Sequence, residues 1–127
     1  MGVLALDHIQ LAMPSGEETH ARGFYSGVLG LPEQAKPPNL AVYGGAWFQR
    51  GSLKVHLGVD KNFTPARKAH PAFIVDDLDG VAALLRDHGC PVTFDDAMPG
   101  FRRLFTEDPF GNRIELIQDA TSAARPS

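Results

Sequence analysis

The chain has 127 residues, 43% of them hydrophobic, and a formal net charge of −3, which predicts one domain with a substantial core. Its apolar runs fall short of the roughly 20 residues of a membrane span, and no basic stripe alternates with aromatic residues, so we expect neither membrane nor nucleic-acid partners. The single cysteine, Cys90, excludes an internal disulfide, and the N-terminal residues are not typical of a secretory signal, so we expect a cytoplasmic protein.

The first half of the chain predicts a strand, a helix and then three strands. Residues 3–13 alternate in polarity as a strand does. Ser15 and Glu18 form a capping-box pattern at the start of an amphipathic helix, which Gly30 ends. Three further strands are predicted at residues 40–43, 46–50 and 53–59.

The second half predicts the same order after a polar linker over residues 60–68. Asp76 or Asp77 caps a second amphipathic helix, which Gly89 ends. Strands are predicted at residues 70–75, 92–94, 101–106 and 113–118. The last residues, 120–127, are small and polar and are expected to form a disordered tail.

Four residues that can bind a metal occupy matched places in the two halves. His8 and His70 lie near the start of the first strand of each half, and His56 and Glu115 lie inside a later strand, 48 and 45 residues further on. A lone histidine on a strand is more often structural than a ligand. The matched placement of all four nevertheless favours a metal site, since histidines and a carboxylate on one side of a sheet leave positions open for substrate.

Other polar residues are expected to have different roles. Arg102 and Arg103 are adjacent on a predicted strand, so they point to opposite faces, and one of them is expected to meet an anionic substrate. The segment 108–112, "DPFGN", is predicted to be a structural turn. His20 and His88 lie on the predicted helices and are not expected to belong to the site.

These segments resemble the vicinal oxygen chelate superfamily, which includes glyoxalase I, fosfomycin-resistance enzymes, extradiol dioxygenases and bleomycin-resistance proteins. The resemblance covers about residues 3–119 and is carried by "DHIQLAM", "FYSGVLGL", "AHPAFIVDDLDGVAALLRDHG" and "DPFGNRIELIQ". It implies an α+β fold in which two βαβββ modules form an open, curved mixed sheet around a cavity. Residues 1–127 would then be a single glyoxalase-like domain, with module one at about 3–60 and module two at about 69–119.

The resemblance also implies a cofactor and its ligands. His8, His70 and Glu115 match the ligands of one divalent metal ion, which could be Zn, Mn, Ni, Co or Fe. His56 falls where glyoxalase I has a fourth ligand, usually a glutamate. This departure disfavours glutathione hemithioacetal isomerisation and leaves His56 as either a fourth ligand or a neighbouring acid/base.

The implied function is a metal-dependent lyase or isomerase that chelates a small oxygenated metabolite through two oxygens, with Glu115 and His56 as catalytic residues. One alternative is an Fe(II) extradiol-type dioxygenase. Another is a small-molecule binding protein of the bleomycin-resistance type. We also expect a homodimer, because each half leaves open sheet edges, and relatives pair modules between subunits. His8 and His56 of one chain would then meet His70 and Glu115 of the other.

Overall fold

Each half of the chain folds around a four-stranded mixed sheet, as seen in a computed structural model that describes residues 1–119. The first unit ends at Thr64 and the second begins at Pro65. Both contain one parallel strand pair and two antiparallel pairs. The predicted α+β class is therefore confirmed, with two open sheets.

In the first unit, the longer helical segment follows the first strand along the chain. Its elements are β1 (Ile9–Met13), α1 (Glu18–Ala21) with a π-helical continuation (Arg22–Val28), β2 (Glu33–Gln34), α2 (Pro38–Ala41), β3 (Ala46–Arg50) and β4 (Leu53–Val59). The strand order is β1-β4-β3-β2, with β1 parallel to β4. The helical face buries Phe24 and Tyr25, and Tyr25 stacks on Phe48 of β3 with ring centroids 5.6 Å apart.

Two strand predictions in this unit are wrong. The strand predicted from residue 3 begins only at Ile9, and the residues before it are exposed. Pairing of β1 starts opposite Val55, close to the first residue of β4, so the earlier residues have little strand beside them in this unit. The strand predicted at 40–43 is instead replaced by the short helix α2. Pro38 stands in its first turn, where a fixed φ and a missing N–H favour helix.

The predicted capping box also does not form. Glu17 occupies the cap position without a side-chain cap, and Glu18 Oε2 instead accepts a hydrogen bond from the backbone N–H of Gly45 at 2.8 Å. The helix then widens, since the N–H of Leu29 bonds to the carbonyl of Phe24, five residues earlier. The spacing of apolar residues that predicted the helix does not distinguish this hydrogen bond over five residues from the usual one over four.

The second unit repeats the arrangement with a longer helix. Its elements are β5 (Ala72–Ile74), α3 (Leu78–Asp87), β6 (Thr93–Asp95), β7 (Phe101–Glu107) and β8 (Arg113–Asp119). The strand order is β5-β8-β7-β6, with β5 parallel to β8. Asp77 caps α3 by accepting from the N–H of Gly80 at 3.0 Å, as predicted. The predicted strand at 70–75 is shorter, so that His70 precedes β5.

Three further predictions concern membrane crossing, residues 120–127 and the organisation of the chain as one domain. Within residues 1–119, no helix combines the length and apolar character needed to cross a membrane. The disorder predicted for residues 120–127 lies outside the described residues. The organisation as one domain built from two modules stays a prediction.

Candidate functional site

Three aromatic rings stack on one face of the first sheet. The ring of His56 on β4 lies 4.3 Å from that of His8 and 4.2 Å from that of Trp47, measured between centroids. Trp47 on β3 is the ladder partner of His56, so both side chains project from the same face. The structure therefore brings two of the predicted ligands, His8 and His56, together within the first unit.

The ring of His8 is oriented by its neighbour in sequence. Its Nδ1 lies 2.9 Å from Oδ2 of Asp7, and Lys54 Nζ lies 3.6 Å from Oδ1 of the same carboxylate. The hydrogen bond from His8, followed by the charge of Lys54, lowers the pKa of Asp7. An ionised carboxylate only accepts, so Nδ1 carries a proton, and Nε2 is the nitrogen left for a ligand.

His56 is half-buried between the two neighbouring rings. Burial is the main reason why the pKa of His56 is lowered, and the charge of His8 adds to it. Gly58 shares a strand face with this imidazole, and its missing side chain leaves a space beside the strand. That space is occupied, because a Cβ at Gly58 would stand 2.5 Å from Nε2 of Gln10.

The second unit brings the other two predicted ligands together. Nε2 of His70 lies 3.0 Å from Oε1 of Glu115, a buried carboxylate in the middle of β8 that is 4% exposed. The opposite ring nitrogen of His70, Nδ1, lies 2.9 Å from the carbonyl oxygen of Lys68. A carbonyl only accepts, so Nδ1 carries a proton here too, and Nε2 is the nitrogen presented to Glu115.

A cationic and aromatic cluster surrounds this pair on the same sheet. Arg103 Nη1 lies 3.5 Å from Oε2 of Glu115, and Arg103 Nη2 lies 3.4 Å from Oδ1 of Asp95. Phe105 packs edge to face against His70 with centroids 5.4 Å apart, and the guanidinium carbon of Arg113 lies 4.1 Å from the centre of its ring. The carboxylate of Glu115 thus has a histidine at one oxygen and an arginine at the other.

The two adjacent arginines of β7 separate as predicted. Arg102 makes a two-point contact with Asp79 of α3, at 2.9 and 3.1 Å, whereas Arg103 faces Glu115. Hydrogen bonding to Arg102 is the main reason why the pKa of Asp79 is lowered. Arg103 is therefore the member of the pair beside the candidate ligands.

Sequence reasoning missed three groups that touch the candidate ligands: Asp7, Trp47 and the carbonyl of Lys68. Trp47 could have been found from register. The turn at 51–52 pairs Arg50 with Leu53, which sets Trp47 opposite His56. Asp7 was visible as the one charged residue on the otherwise apolar face of its predicted strand. The carbonyl of Lys68 left no signal, because a backbone acceptor is present at every position.

Each unit contributes a pair of candidate ligands. In the described part of the chain, no three or more His, Cys, Asp or Glu side chains form a group that could hold a metal ion. The remaining histidines have local partners: His20 contacts Glu17, and Nδ1 of His88 bonds to the carbonyl of Leu84. Cys90 is half-buried, and burial raises the pKa of its thiol.

Comparisons with known proteins place this geometry in a family. The model of the Glyoxalase/Bleomycin resistance protein/Dioxygenase superfamily matches residues 5–116. A solved structure from Bacillus anthracis, described as a glyoxalase family protein, is 42% identical, with a TM-score of 0.88 over 94% of this chain and 98% of that one. A comparison with curated proteins gave no significant match.

More distant structures share the fold alone. A glyoxalase/dioxygenase from Nostoc punctiforme is 22% identical, with a TM-score of 0.73 over 94% of this chain and 97% of that one. A fosfomycin resistance protein from Listeria monocytogenes is 15% identical, with a TM-score of 0.74 over 94% and 96%. From the family match and the similarity to the Bacillus anthracis protein, it follows that the chain belongs to the glyoxalase/bleomycin resistance protein/dioxygenase superfamily.

Proposed function

We propose that this protein is a metal-dependent enzyme, a lyase or isomerase of the glyoxalase type that acts on a small oxygenated metabolite. His8, His70 and Glu115 would bind one divalent ion, with His56 as a fourth ligand or a neighbouring acid/base. The observation that carries the proposal is the orientation of His70. Its Nδ1 donates to a carbonyl, and its Nε2 lies 3.0 Å from a buried carboxylate oxygen.

This orientation suits a bound cation. With a neutral ring, the lone pair of His70 Nε2 and the oxygen of Glu115 would face each other as two acceptors. A second ring proton on Nε2, or a metal ion bound by both atoms, would supply the positive charge that removes this repulsion. His8 is oriented in a similar way, since its Nδ1 donates a hydrogen bond to Asp7 and leaves Nε2 for a ligand bond.

The bound ion would be Zn, Mn, Ni, Co or Fe, all of which accept mixed nitrogen and oxygen ligands, and it would act as a Lewis acid toward two neighbouring oxygens of the substrate. Arg103 holds Oε2 of Glu115 through its charge and leaves Oε1 directed at His70. The imidazole of His56, whose pKa is lowered, is neutral near neutral pH and can accept a proton from a ligand beside it.

The function is tested by elemental analysis of protein purified without chelator. We expect about one equivalent of divalent metal per chain, and protein without metal would contradict the proposal. Oxygen uptake then separates the lyase or isomerase from an Fe(II) dioxygenase that uses the same His8, His70 and Glu115 ligands. The single free thiol supports a cytoplasmic location for either enzyme.

A metal-free binding protein is the second candidate, and one observation favours it. The rings of His8, His56 and Trp47 form an aromatic stack that needs no metal to assemble. Such a surface suits a planar organic ligand. Binding of a small aromatic molecule with equal affinity before and after chelation would support this candidate over the enzyme.

We predict that the protein is a homodimer in which His8 and His56 of one chain meet His70 and Glu115 of its partner. Exposed apolar side chains lie beside or on the two edge strands: Leu4 and Leu6 precede β1, and Ile74 in β5 is 87% exposed. Exposed apolar edges of this kind favour association. Light scattering should give twice the chain mass, and Leu6→Glu with Ile74→Glu should shift it toward one chain. A monomer mass for the wild type at micromolar concentration would contradict the prediction.

His56→Ala should change metal affinity while leaving the fold intact. The side chain is half-buried and stacks on His8 and Trp47, so its removal should cost about 1 kcal/mol of unfolding free energy, the scale of an aromatic pair. Thermal melting and metal titration of the same samples measure both effects, with the exposed His88→Ala as the matched control. A large loss of stability with unchanged metal binding would show that His56 is structural.

A further inference from the structure

We infer that a small cavity in the second unit binds the anionic group of the substrate. The cavity, of about 290 Å³, lies at the end of the sheet where β7 leads into the turn at 108–112. It does not include His70 or Glu115. Its lining includes Arg67, Thr93, Phe105, Thr106, Glu107 and Arg113.

The cavity holds positive charge that the protein does not neutralise at close range. Arg102 and Arg103 each contact a carboxylate, but neither Arg67 nor Arg113 forms an ion pair with any carboxylate in residues 1–119. Glu107 lines the same cavity and is the ladder partner of Arg113, yet the two stay beyond ion-pair distance. Two arginines with open donors in one concave site match the chemistry of a carboxylate or phosphonate group.

The position of Arg113 is fixed by an aromatic ring. Its guanidinium carbon lies 4.1 Å from the centre of the Phe105 ring, a cation–π contact that holds the side chain without occupying it with a counter-ion. A guanidinium held in this way loses less conformational freedom when it binds an anion. The contact therefore prepares Arg113 for a ligand.

The cavity adjoins the candidate ligands through Phe105. That ring packs against His70 on one side and against Arg113 on the other, and Phe105 is the ladder partner of Glu115. Arg113 and Glu115 are alternate residues of β8, so their side chains leave the same face from Cα atoms that are about 7 Å apart. One small molecule can span both places. This step rests on the proposed function, and it defines the substrate class as a small organic anion.

The anion site can be tested without the metal. Full-length protein in chelator would be titrated with phenylphosphonate or benzoate as anionic probes and with benzyl alcohol as a neutral one, and the backbone amide signals of Thr93 and Thr106 would be followed by NMR. We expect saturable shifts with an anionic probe and none with benzyl alcohol. Arg113→Gln should weaken binding about tenfold or more, the scale of one lost charge-assisted hydrogen bond. Arg67→Gln should weaken it as well.

Arg102→Gln is the matched control, because it removes an arginine that lies on the neighbouring strand β7 and contacts Asp79 on the opposite face, and it should bind like the wild type. Equal affinity in wild type, Arg113→Gln and Arg67→Gln, or no saturable binding of either anion, would overturn the inference. If Arg113→Gln fails to fold by circular dichroism, the exposed Arg67→Gln decides. Anion binding by a protein that takes up no metal would refute the proposed function and leave this cavity assignment standing.

Discussion

His70→Ala should lose stoichiometric metal, and its affinity for a divalent ion should fall by at least about 100-fold, more than the loss of a group that only orients a ligand. Glu115→Gln should have a similar effect, because the amide keeps the shape of the side chain but removes the negative charge that faces His70. Elemental analysis after dialysis and calorimetric titration of the ion measure both variants.

The exposed His20→Ala is the control for these variants, since the ring of His20 contacts the side chain of Glu17 and none of the candidate ligands in residues 1–119. It should retain metal at the wild-type level. Full retention of metal by His70→Ala would exclude the site, whatever activity the variant shows. Loss of metal by His20→Ala as well would show that the effect is not local.

Asn112→Ala should lower the free energy of unfolding by about 2–4 kcal/mol, the range for breaking a buried hydrogen-bond network. Asn112 is 1% exposed; its Oδ1 accepts from the N–H of Ala66 at 3.0 Å, and its Nδ2 donates to Asp108 Oδ2 at 2.9 Å. Truncation removes both contacts, and one of them is to Asp108, a carboxylate that is 4% exposed. Urea unfolding should show a lower midpoint with an unchanged slope.

Asn39→Ala is the matched control for this change, because the same substitution on the exposed helix α2 should alter the unfolding free energy by less than about 0.5 kcal/mol. A similar small effect at Asn112 would mean that water replaces the lost amide contacts. The turn at 108–112 would then be ordered by its backbone alone.

Strands and helices were predicted correctly where the local sequence signals agreed. The strands at 46–50 and 53–59 were predicted with the observed bounds, because a glycine-bearing turn and alternating polarity agree there. The helix capped by Asp77 was predicted because its cap, its apolar helical spacing and its closing glycine agree. Residues 3–8 and 40–43 were mispredicted, since an apolar or β-prone segment forms a strand only when a neighbouring strand is available to pair with it.

Matched spacing predicted that His8, His56, His70 and Glu115 form one metal site, and that site stays a prediction. Within the units, His8 stacks on His56 and His70 contacts Glu115. The contact between Glu115 and Arg103 was not predicted, because the pleat of β7 decides which of the two adjacent arginines faces Glu115. Likewise, no pattern showed that the amide of Gln10 would cover Gly58.

The two histidines that precede the first strands differ in what mutation can do to them. The ring of His8 is anchored by the side chain of Asp7, so a single substitution at position 7 changes how the ring is held. The ring of His70 is anchored by a main-chain carbonyl, which every replacement of Lys68 retains. Natural or laboratory variation can therefore tune the first histidine gradually through residue 7, whereas the second can be altered only by replacing it or by moving the backbone.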